Sequence, residues 1–282
     1  MKEVLGIPVS AALIRAWEGH FAPAIQPFYL SEDWVPRLPE LALWRREELQ
    51  PTHLPLSVRD TLNLHDVAPI ATWVALLDEA TFGDLPFDTR CQLLEAQLAF
   101  RRGGVQVRKE TGELYAWWPG VWHALTPEAR WKRLKAFLEQ GRLACRRAEL
   151  PSDKRAALQR RFPAMLPLLG TYAAESGANC FTSVMAACGV PGVTDLWMHS
   201  PPFLRWLDRA AALSDTLDAE GTVLVWRDGA GVTQHAALAL GEGWLFHKEA
   251  QAWFAPRQVV RLQDALERWQ HEGWTVSGYA LV

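Results

Sequence analysis

The sequence lacks the long apolar runs that membrane-spanning helices need. A spanning helix takes about 18 or more consecutive apolar residues, and the 282 residues contain no such stretch. The first residues, MKEVLGIPVSAALI, include an acid and carry Gly and Pro inside a short apolar run, without a clear small-residue cleavage site. They resemble a secretory signal poorly. We therefore expect a cytoplasmic protein that makes no membrane contact, and export by a signal-independent route remains an alternative.

Cysteine is scarce, and its spacing indicates neither a disulfide framework nor a zinc ribbon. The four cysteines are Cys91, Cys145, Cys180 and Cys188, and no two of them form a CxxC pair. Disulfide-rich domains and structural zinc sites are typically marked by closely spaced pairs. We expect reduced thiols and predict neither a metal nor a cofactor.

The chain also lacks the composition of a disordered or collagen-like protein. Hydrophobic residues make up 49% and charged residues 22% of the sequence, which is ordinary globular usage. Tryptophan is the exception, with 15 residues against 4 Tyr. Trp244 and Trp253 are the tryptophans expected beside the candidate site, and the others are expected to serve packing.

Net charge is only −3, but one segment is strongly basic. Between Arg130 and Arg161 there are eleven Lys or Arg against three acids. Such a run is typical of the solvated face of helices, and it is also the pattern of a surface that binds an anionic polymer. No nucleic-acid-binding motif accompanies it, so nucleic acid is not expected as a partner.

Two domains are predicted, because the sequence patterns change from mostly helical to mixed helix and strand after Pro163. Residues 1–165 are expected to form a mostly helical accessory domain with one hairpin, and residues 166–282 an α+β domain. The helices predicted in the first part lie near residues 10–17, 68–80, 88–102, 127–147 and 152–161, and the hairpin is VQVRKETGELYAW. In the second part we predict helices near residues 180–188, 202–212 and 262–269, and strands at 222–226, 232–240, 244–249 and 275–281.

Cys180 stands at the predicted start of a helix that Asn179 caps and Gly189 follows. Free N–H groups and the helix dipole at such a position favour a thiolate, which is the reactive form of cysteine. The same N–H groups are candidate donors to an oxyanion. A small buried cysteine of the core is the alternative interpretation.

His235 and His247 are predicted to share one face of a hairpin. The alternation in VTQHAALAL places His235 with two alanines, which leaves space above the imidazole for a general base. If residues 241–243 form a three-residue loop with Gly243 in the left-handed conformation, the two histidines become diagonal neighbours. A two-residue loop would place them on opposite faces.

The segments LLGTYAAESGANCFTSVMAACG, GTVLVWRD and QHAALALGEGWLFHK together resemble the NlpC family of papain-like cysteine peptidases. That family has a Gly-x-x-Tyr approach, a Cys that opens a helix, a His on a strand, and a third polar residue twelve positions after the His. The resemblance covers about residues 167–282. It implies a papain-like fold in which a helix carrying Cys180 packs on an antiparallel sheet.

The resemblance also implies the roles of four residues. Cys180 would be the nucleophile, His235 the base, His247 the residue that orients the His235 ring, and Tyr172 a substrate-side residue. Family members usually show Asp-Cys-Ser-Gly-Leu at the nucleophile, whereas this chain has Asn-Cys-Phe-Thr-Ser. The substrate is therefore left as a peptide or amide, with peptidoglycan-derived peptides among the options.

Three other uses of the same residues remain open. A papain-like module without catalytic activity could bind an anionic polymer through the basic segment. An acyltransferase or transamidase could use the same triad of Cys180, His235 and His247. A zinc site made of Cys180, His235 and His247 is chemically reasonable, although a closely spaced ligand pair is absent. The oligomeric state is not indicated by the sequence.

Overall fold

The computed structural model describes most of the chain and divides it into two compact units. The described residues are 2–49, 54, 58, 67–102, 104–107 and 112–282. One unit is Arg15–Leu134, and the other joins Met1–Ile14 to Lys135–Val282. Residues 135–165 therefore belong to the same compact unit as the predicted site, although the sequence assigns them to the accessory domain. The accessory role itself stays a prediction.

Helices and antiparallel sheets occur together in the described residues, which confirms the α+β class. The helices are α1 (Ala11–Phe21), α2 (Glu79–Asp84), α3 (Phe87–Ala99), α4 (Pro119–His123), α5 (Pro127–Glu139), α6 (Ser152–Arg161), α7 (Cys180–Ala187), α8 (Ser200–Ala210) and α9 (Leu262–Arg268). The strands are β1 (Lys2–Val4), β2 (Ile7–Val9), β3 (Ile25–Leu30), β4 (Leu43–Arg45), β5 (Trp73–Asp78), β6 (Val105–Val107), β7 (Leu114–Ala116), β8 (Ala211–Ser214), β9 (Thr222–Arg227), β10 (Thr233–Gly241), β11 (Trp244–Lys248), β12 (Arg257–Arg261) and β13 (Thr275–Leu281).

The unit Arg15–Leu134 contains an antiparallel sheet in the order β3-β5-β4. The helix predicted over residues 68–80 is wrong, because β5 is the central strand of this sheet. Val74 and Ala75 are both buried, so apolar residues do not alternate with polar ones, and such a run does not distinguish a strand from a helix. The helix α2 begins only after Asp78, whose side chain accepts the N–H of Thr81 at 2.7 Å.

The other predictions for the first half of the chain agree with the structure more closely. The predicted hairpin is confirmed on its two strands, with Val105 opposite Ala116. Its residues 108–111 lie outside the described residues. Helices are found at four further predicted places, as α1, α3, α5 and α6, although α5 ends at Glu139 rather than near residue 147.

The unit that contains Lys135–Val282 is built on a six-stranded antiparallel sheet in the order β12-β11-β10-β9-β13-β8. The sequence predicts β9, β10, β11 and β13 and the helices α7, α8 and α9 within about two residues of the observed bounds. It does not indicate β8 or β12. The strand β12 is short and carries an arginine at each end, so its sequence gives little periodic signal, yet it pairs with β11 along its whole length.

One face of this sheet carries both histidines of interest. His235 lies opposite Trp226 and His247 opposite Gln258, and residues directly opposite each other share a face. The same face holds a cluster of buried side chains that continues onto α9 and consists of Leu224, Trp226, Ala237, Ala239, Leu245, Val260 and Ala265. The helix α7 packs against β10 and β11.

The turn between β10 and β11 differs from the expected three-residue loop. It has two residues, Glu242 and Gly243, with φ of 57° and 75°, as a mirror-image hairpin turn requires. A bulge between Ala239 and Gly241 supplies the additional residue, and Ala239 still faces Leu245. The bulge therefore restores the register that the longer loop predicts, and the two histidines share a face.

No helix among the described residues has both the length and the apolarity that crossing a membrane requires.

Candidate active site

Cys180 is the first residue of α7 because a capping box fixes the start of this helix. The Asn179 side chain accepts the N–H of Thr182 at 3.2 Å, and the Thr182 hydroxyl accepts the N–H of Asn179 at 2.9 Å. The Asn179 amide also donates to the carbonyl of Met198 at 2.6 Å. Two of the residues that depart from the NlpC pattern, Asn179 and Thr182, are thus the residues that form the cap.

Backbone N–H groups of two elements act on the thiol of Cys180. The N–H groups of Ala236 in β10, and of Phe181 and Cys180 in α7, lower its pKa. These donors and the positive charge of Lys248 favour the thiolate, as a helix start predicts. Burial outweighs them, however, and raises the pKa of the Cys180 thiol to about 11. The residue is only 6% exposed, so the thiol keeps its proton at neutral pH in this arrangement.

His235 and His247 form a hydrogen-bonded pair inside the protein. Nε2 of His235 lies 3.3 Å from Nδ1 of His247, and the two rings are perpendicular. Trp269 stacks on the His235 ring at a centroid distance of 4.0 Å, and Trp226 lies at 5.2 Å. These indoles fix the plane of the His235 ring, so the hydrogen bond to His247 is geometrically defined.

Both imidazoles are held neutral by burial. Desolvation, and to a smaller degree the neighbouring ring, lower the pKa of His235 well below its ordinary range. Desolvation, with a smaller contribution from the charge of Arg268, lowers the pKa of His247 to about 4. Each neutral ring therefore carries one N–H donor and one acceptor nitrogen, so the two nitrogens of a ring have opposite roles.

Gln258 extends the histidine pair on its far side. Its Nε2 lies 3.2 Å from Nε2 of His247, and it faces His247 across β11 and β12. The sequence does not identify Gln258, because the signal is the adjacency of two strands and not a spacing in the chain. The result is a buried row of three polar side chains in the order His235, His247 and Gln258.

The structure does not join Cys180 to this row by a hydrogen bond. The N–H that lowers the thiol pKa from β10 is that of Ala236, the residue that follows His235. Nδ1 of His235 is buried and has no hydrogen-bond partner among the described residues. Nδ1 of His235 is therefore the one nitrogen of the two rings without a hydrogen-bond partner among the described residues. The thiol lies near Ala236, the next residue of β10.

Tyr172 is buried in the segment that leads to α7. Burial raises its pKa above the ordinary value, and the groups that act on it electrostatically are Arg142, Cys145 and Glu139. The preceding residue, Thr171, bridges to Arg257 at the β12 edge of the sheet. The role of Tyr172 as a substrate-side residue stays a prediction from the resemblance.

Trp269 and Trp226, and not Trp244 or Trp253, are the tryptophans whose rings contact His235. Trp253 is fully buried and packs against Phe137 and Phe254. Trp269 follows α9, which the sequence places correctly, but its contact with His235 depends on how α9 packs on the sheet. Sequence spacing does not carry that information.

Several charges of the basic segment are compensated within the unit that contains Lys135–Val282. Lys154 pairs with Glu220 and Glu242, and Arg161 pairs with Glu220. Arg142 donates to backbone carbonyls of α5. These contacts favour a structural use of this part of the segment.

Within the described ranges, no group of three or more His, Cys, Asp or Glu side chains is arranged to hold a metal ion.

Comparisons with family models, with curated proteins and with solved structures found no match.

Proposed function

We propose that the chain is a cysteine-dependent hydrolase of peptide or amide bonds, with Cys180 as nucleophile, His235 as general base and His247 as the residue that orients His235. The observation that carries the proposal is the hydrogen bond between two histidines twelve residues apart, which lie on β10 and β11, the two strands against which the cysteine helix packs. A papain-like fold of NlpC type for residues 166–282 and a cytoplasmic location belong to the same proposal.

The proposed reaction uses groups that already have defined positions. The thiol proton of Cys180 passes to Nδ1 of His235, and the thiolate attacks the carbonyl carbon of the substrate. The N–H groups of Cys180 and Phe181 at the start of α7 hold the oxyanion. His235 then gives its proton to the leaving amine, and water, deprotonated by His235, cleaves the thioester.

The proposal requires one rearrangement. The sulfur of Cys180 must come within hydrogen-bond reach of Nδ1 of His235, because a thiol with a pKa of about 11 does not ionise by itself at neutral pH. Binding of a peptide or amide, including peptidoglycan-derived peptides, would supply this change at the start of α7. Tyr172 is assigned to the substrate side of the proposed site.

Acyl-enzyme formation tests the proposal directly. An activated acyl anilide incubated with the protein is expected to release aniline in a burst and to leave a thioester on Cys180, which intact-mass measurement and peptide mapping detect. Cys180→Ala should abolish both signals. Cys188→Ala, which removes a thiol from the end of the same helix, should retain them. Acylation of another residue, or a burst that persists in Cys180→Ala, would contradict the assignment.

The protonated thiol also favours a second candidate, a catalytically silent module with the same scaffold. Such a module would give no burst, and it would bind an anionic polymer with an affinity that falls steeply with salt and survives Cys180→Ala. An acyltransferase is distinguished in the same assay, since an added amine would appear in the product in place of water.

A further inference from the structure

Gln258 closes a hydrogen-bonded row whose two ends are both unsatisfied. At one end, Nδ1 of His235 has no partner among the described residues, and at the other end the same holds for Oε1 of Gln258. Between them, the amide nitrogen of Gln258 faces Nε2 of His247 and Nδ1 of His247 faces Nε2 of His235. Buried polar atoms without partners are uncommon and call for a reason.

The donor and acceptor roles in this row are coupled. When the amide NH₂ of Gln258 faces His247, it donates to Nε2, so the proton of His247 sits on Nδ1. That N–H donates to Nε2 of His235, whose own proton then sits on Nδ1. In this state Nδ1 of His235 is a donor, and it has no lone pair with which to accept the thiol proton.

Rotation of the Gln258 amide by 180° reverses each role. The amide oxygen then accepts from Nε2–H of His247, and Nδ1 of His247 accepts from Nε2–H of His235. The lone pair of His235 is now on Nδ1, the open nitrogen. Each amide orientation therefore allows one tautomer pair, either both rings protonated on Nδ1 or both protonated on Nε2.

We propose that Gln258 is a positioning residue whose amide orientation selects the tautomers of His247 and His235 together, and that the state competent for proton transfer has the amide oxygen towards His247. The coupling of the tautomers rests on the geometry alone. The statement about competence rests on the proposed function.

The Cys180 thiol can give its proton to His235 only in the second state, in which the amide oxygen of Gln258 faces His247 and Nδ1 of His235 carries the lone pair. The S–H bond of Cys180 breaks as an N–H bond forms at Nδ1 of His235, which gives a thiolate and an imidazolium. The imidazolium keeps its Nε2–H bond to His247, and His247 keeps its Nε2–H bond to the oxygen of Gln258. In the first state, by contrast, the proton of each ring would have to move from Nδ1 to Nε2 and the amide would have to turn before the thiol could be deprotonated.

Imidazole ¹⁵N chemical shifts test the coupling without any assay of activity. In the wild-type protein at pH 9, where both rings are neutral, His235 and His247 are expected to show the same tautomer. In Gln258→Glu the carboxylate accepts but does not donate, so both rings should shift to the Nε2–H form. Gln263→Glu is the matched control, because it adds the same charge on α9 at a side chain that contacts Glu267, and it should leave the tautomers unchanged.

Different tautomers on the two rings of the wild type, or a ring protonated on Nδ1 in Gln258→Glu, would overturn the inference. The wild-type spectrum tests the coupling of the two rings, and Gln258→Met tests the selection by Gln258 if Gln258→Glu does not fold. Gln258→Met, which removes the selection, should lower kcat for acylation about tenfold or more while KM stays the same. Coupled tautomers without acylation of Cys180 would defeat the proposed function alone. Acylation of Cys180 together with a ring protonated on Nδ1 in Gln258→Glu would defeat the role of Gln258 alone.

Discussion

The free energy of unfolding is expected to fall by about 3 kcal/mol on account of His247 alone as the pH is lowered from about 6.5 to about 4. Burial lowers the pKa of this histidine from 6.5 to about 4 in the folded protein, and each unit of difference corresponds to about 1.4 kcal/mol. Between pH 6.5 and 4 the His247 ring binds a proton in the unfolded chain but not in the folded chain. The free energy of unfolding therefore rises with pH across this window and falls on acidification. His235, whose pKa is lowered well below its ordinary range, extends the loss to lower pH.

Urea unfolding at a series of pH values between 8 and 4 measures this effect. In His247→Gln the fall of the unfolding free energy over this range should become smaller by about the same amount. His199→Gln provides the control, since it makes the same substitution at an exposed histidine outside the row. Equal slopes for the wild type and His247→Gln would show that the His247 ring is not buried in its neutral form. Activity below pH 5 must accordingly be measured together with the folded fraction.

The local part of the fold could be predicted from sequence, and the packing could not. The alternation in β10 and β11, and the cap and stop signals around α7, are encoded within a few residues, so these elements appear where they are expected. By contrast, β5 is apolar on both faces, and its assignment depends on pairing with β3 and β4. The strand β12 has too few residues and too much charge to be distinguished from a loop before its partner β11 is known.

The same division applies to the candidate site. The spacing of His235 and His247 predicts a shared face because a hairpin connects them, and a compensating bulge preserves that result although the turn is shorter than expected. Gln258 reaches the row only through the pairing of β11 with β12, and Trp269 only through the packing of α9. Sequence alone therefore identifies two members of the row and misses the residues that orient them.

The pKa of the Cys180 thiol depends on burial more than on the position of the residue in its helix. A helix start does supply N–H groups to the sulfur of Cys180, as predicted. Desolvation has a larger effect, because nearly the whole residue is buried, and it raises the thiol pKa to about 11. The position of a residue on a helix can be read from sequence, whereas its burial depends on the sheet that covers it.

Lys248→Met is expected to reduce the free energy of unfolding by about 3 to 5 kcal/mol, because three carbonyl acceptors lose a charged donor. The ammonium group of Lys248 is buried and donates to the carbonyls of Ala250, Ala252 and Ala255 at 2.6, 2.8 and 2.6 Å. Methionine keeps much of the apolar stem but none of the donors, so three carbonyls lose their partner in a site that excludes water. Lys135→Met, which removes a half-exposed ion pair with Glu139, should cost less than about 1 kcal/mol.

The loop that Lys248 holds contacts the segment that leads to the cysteine helix. The carbonyl of Gln251 in this loop accepts the N–H of Gly177 at 3.0 Å, and the N–H of Trp253 donates to the hydroxyl of Ser176 at 2.9 Å. Both partners lie just before the helix that carries Cys180. In Lys248→Met, amide hydrogen exchange at Gly177 and Trp253 should therefore accelerate more than exchange in β9, which lies away from the loop. A uniform acceleration would indicate global destabilisation only. An unfolding free energy within 1 kcal/mol of the wild type would show that the three carbonyls do not depend on Lys248.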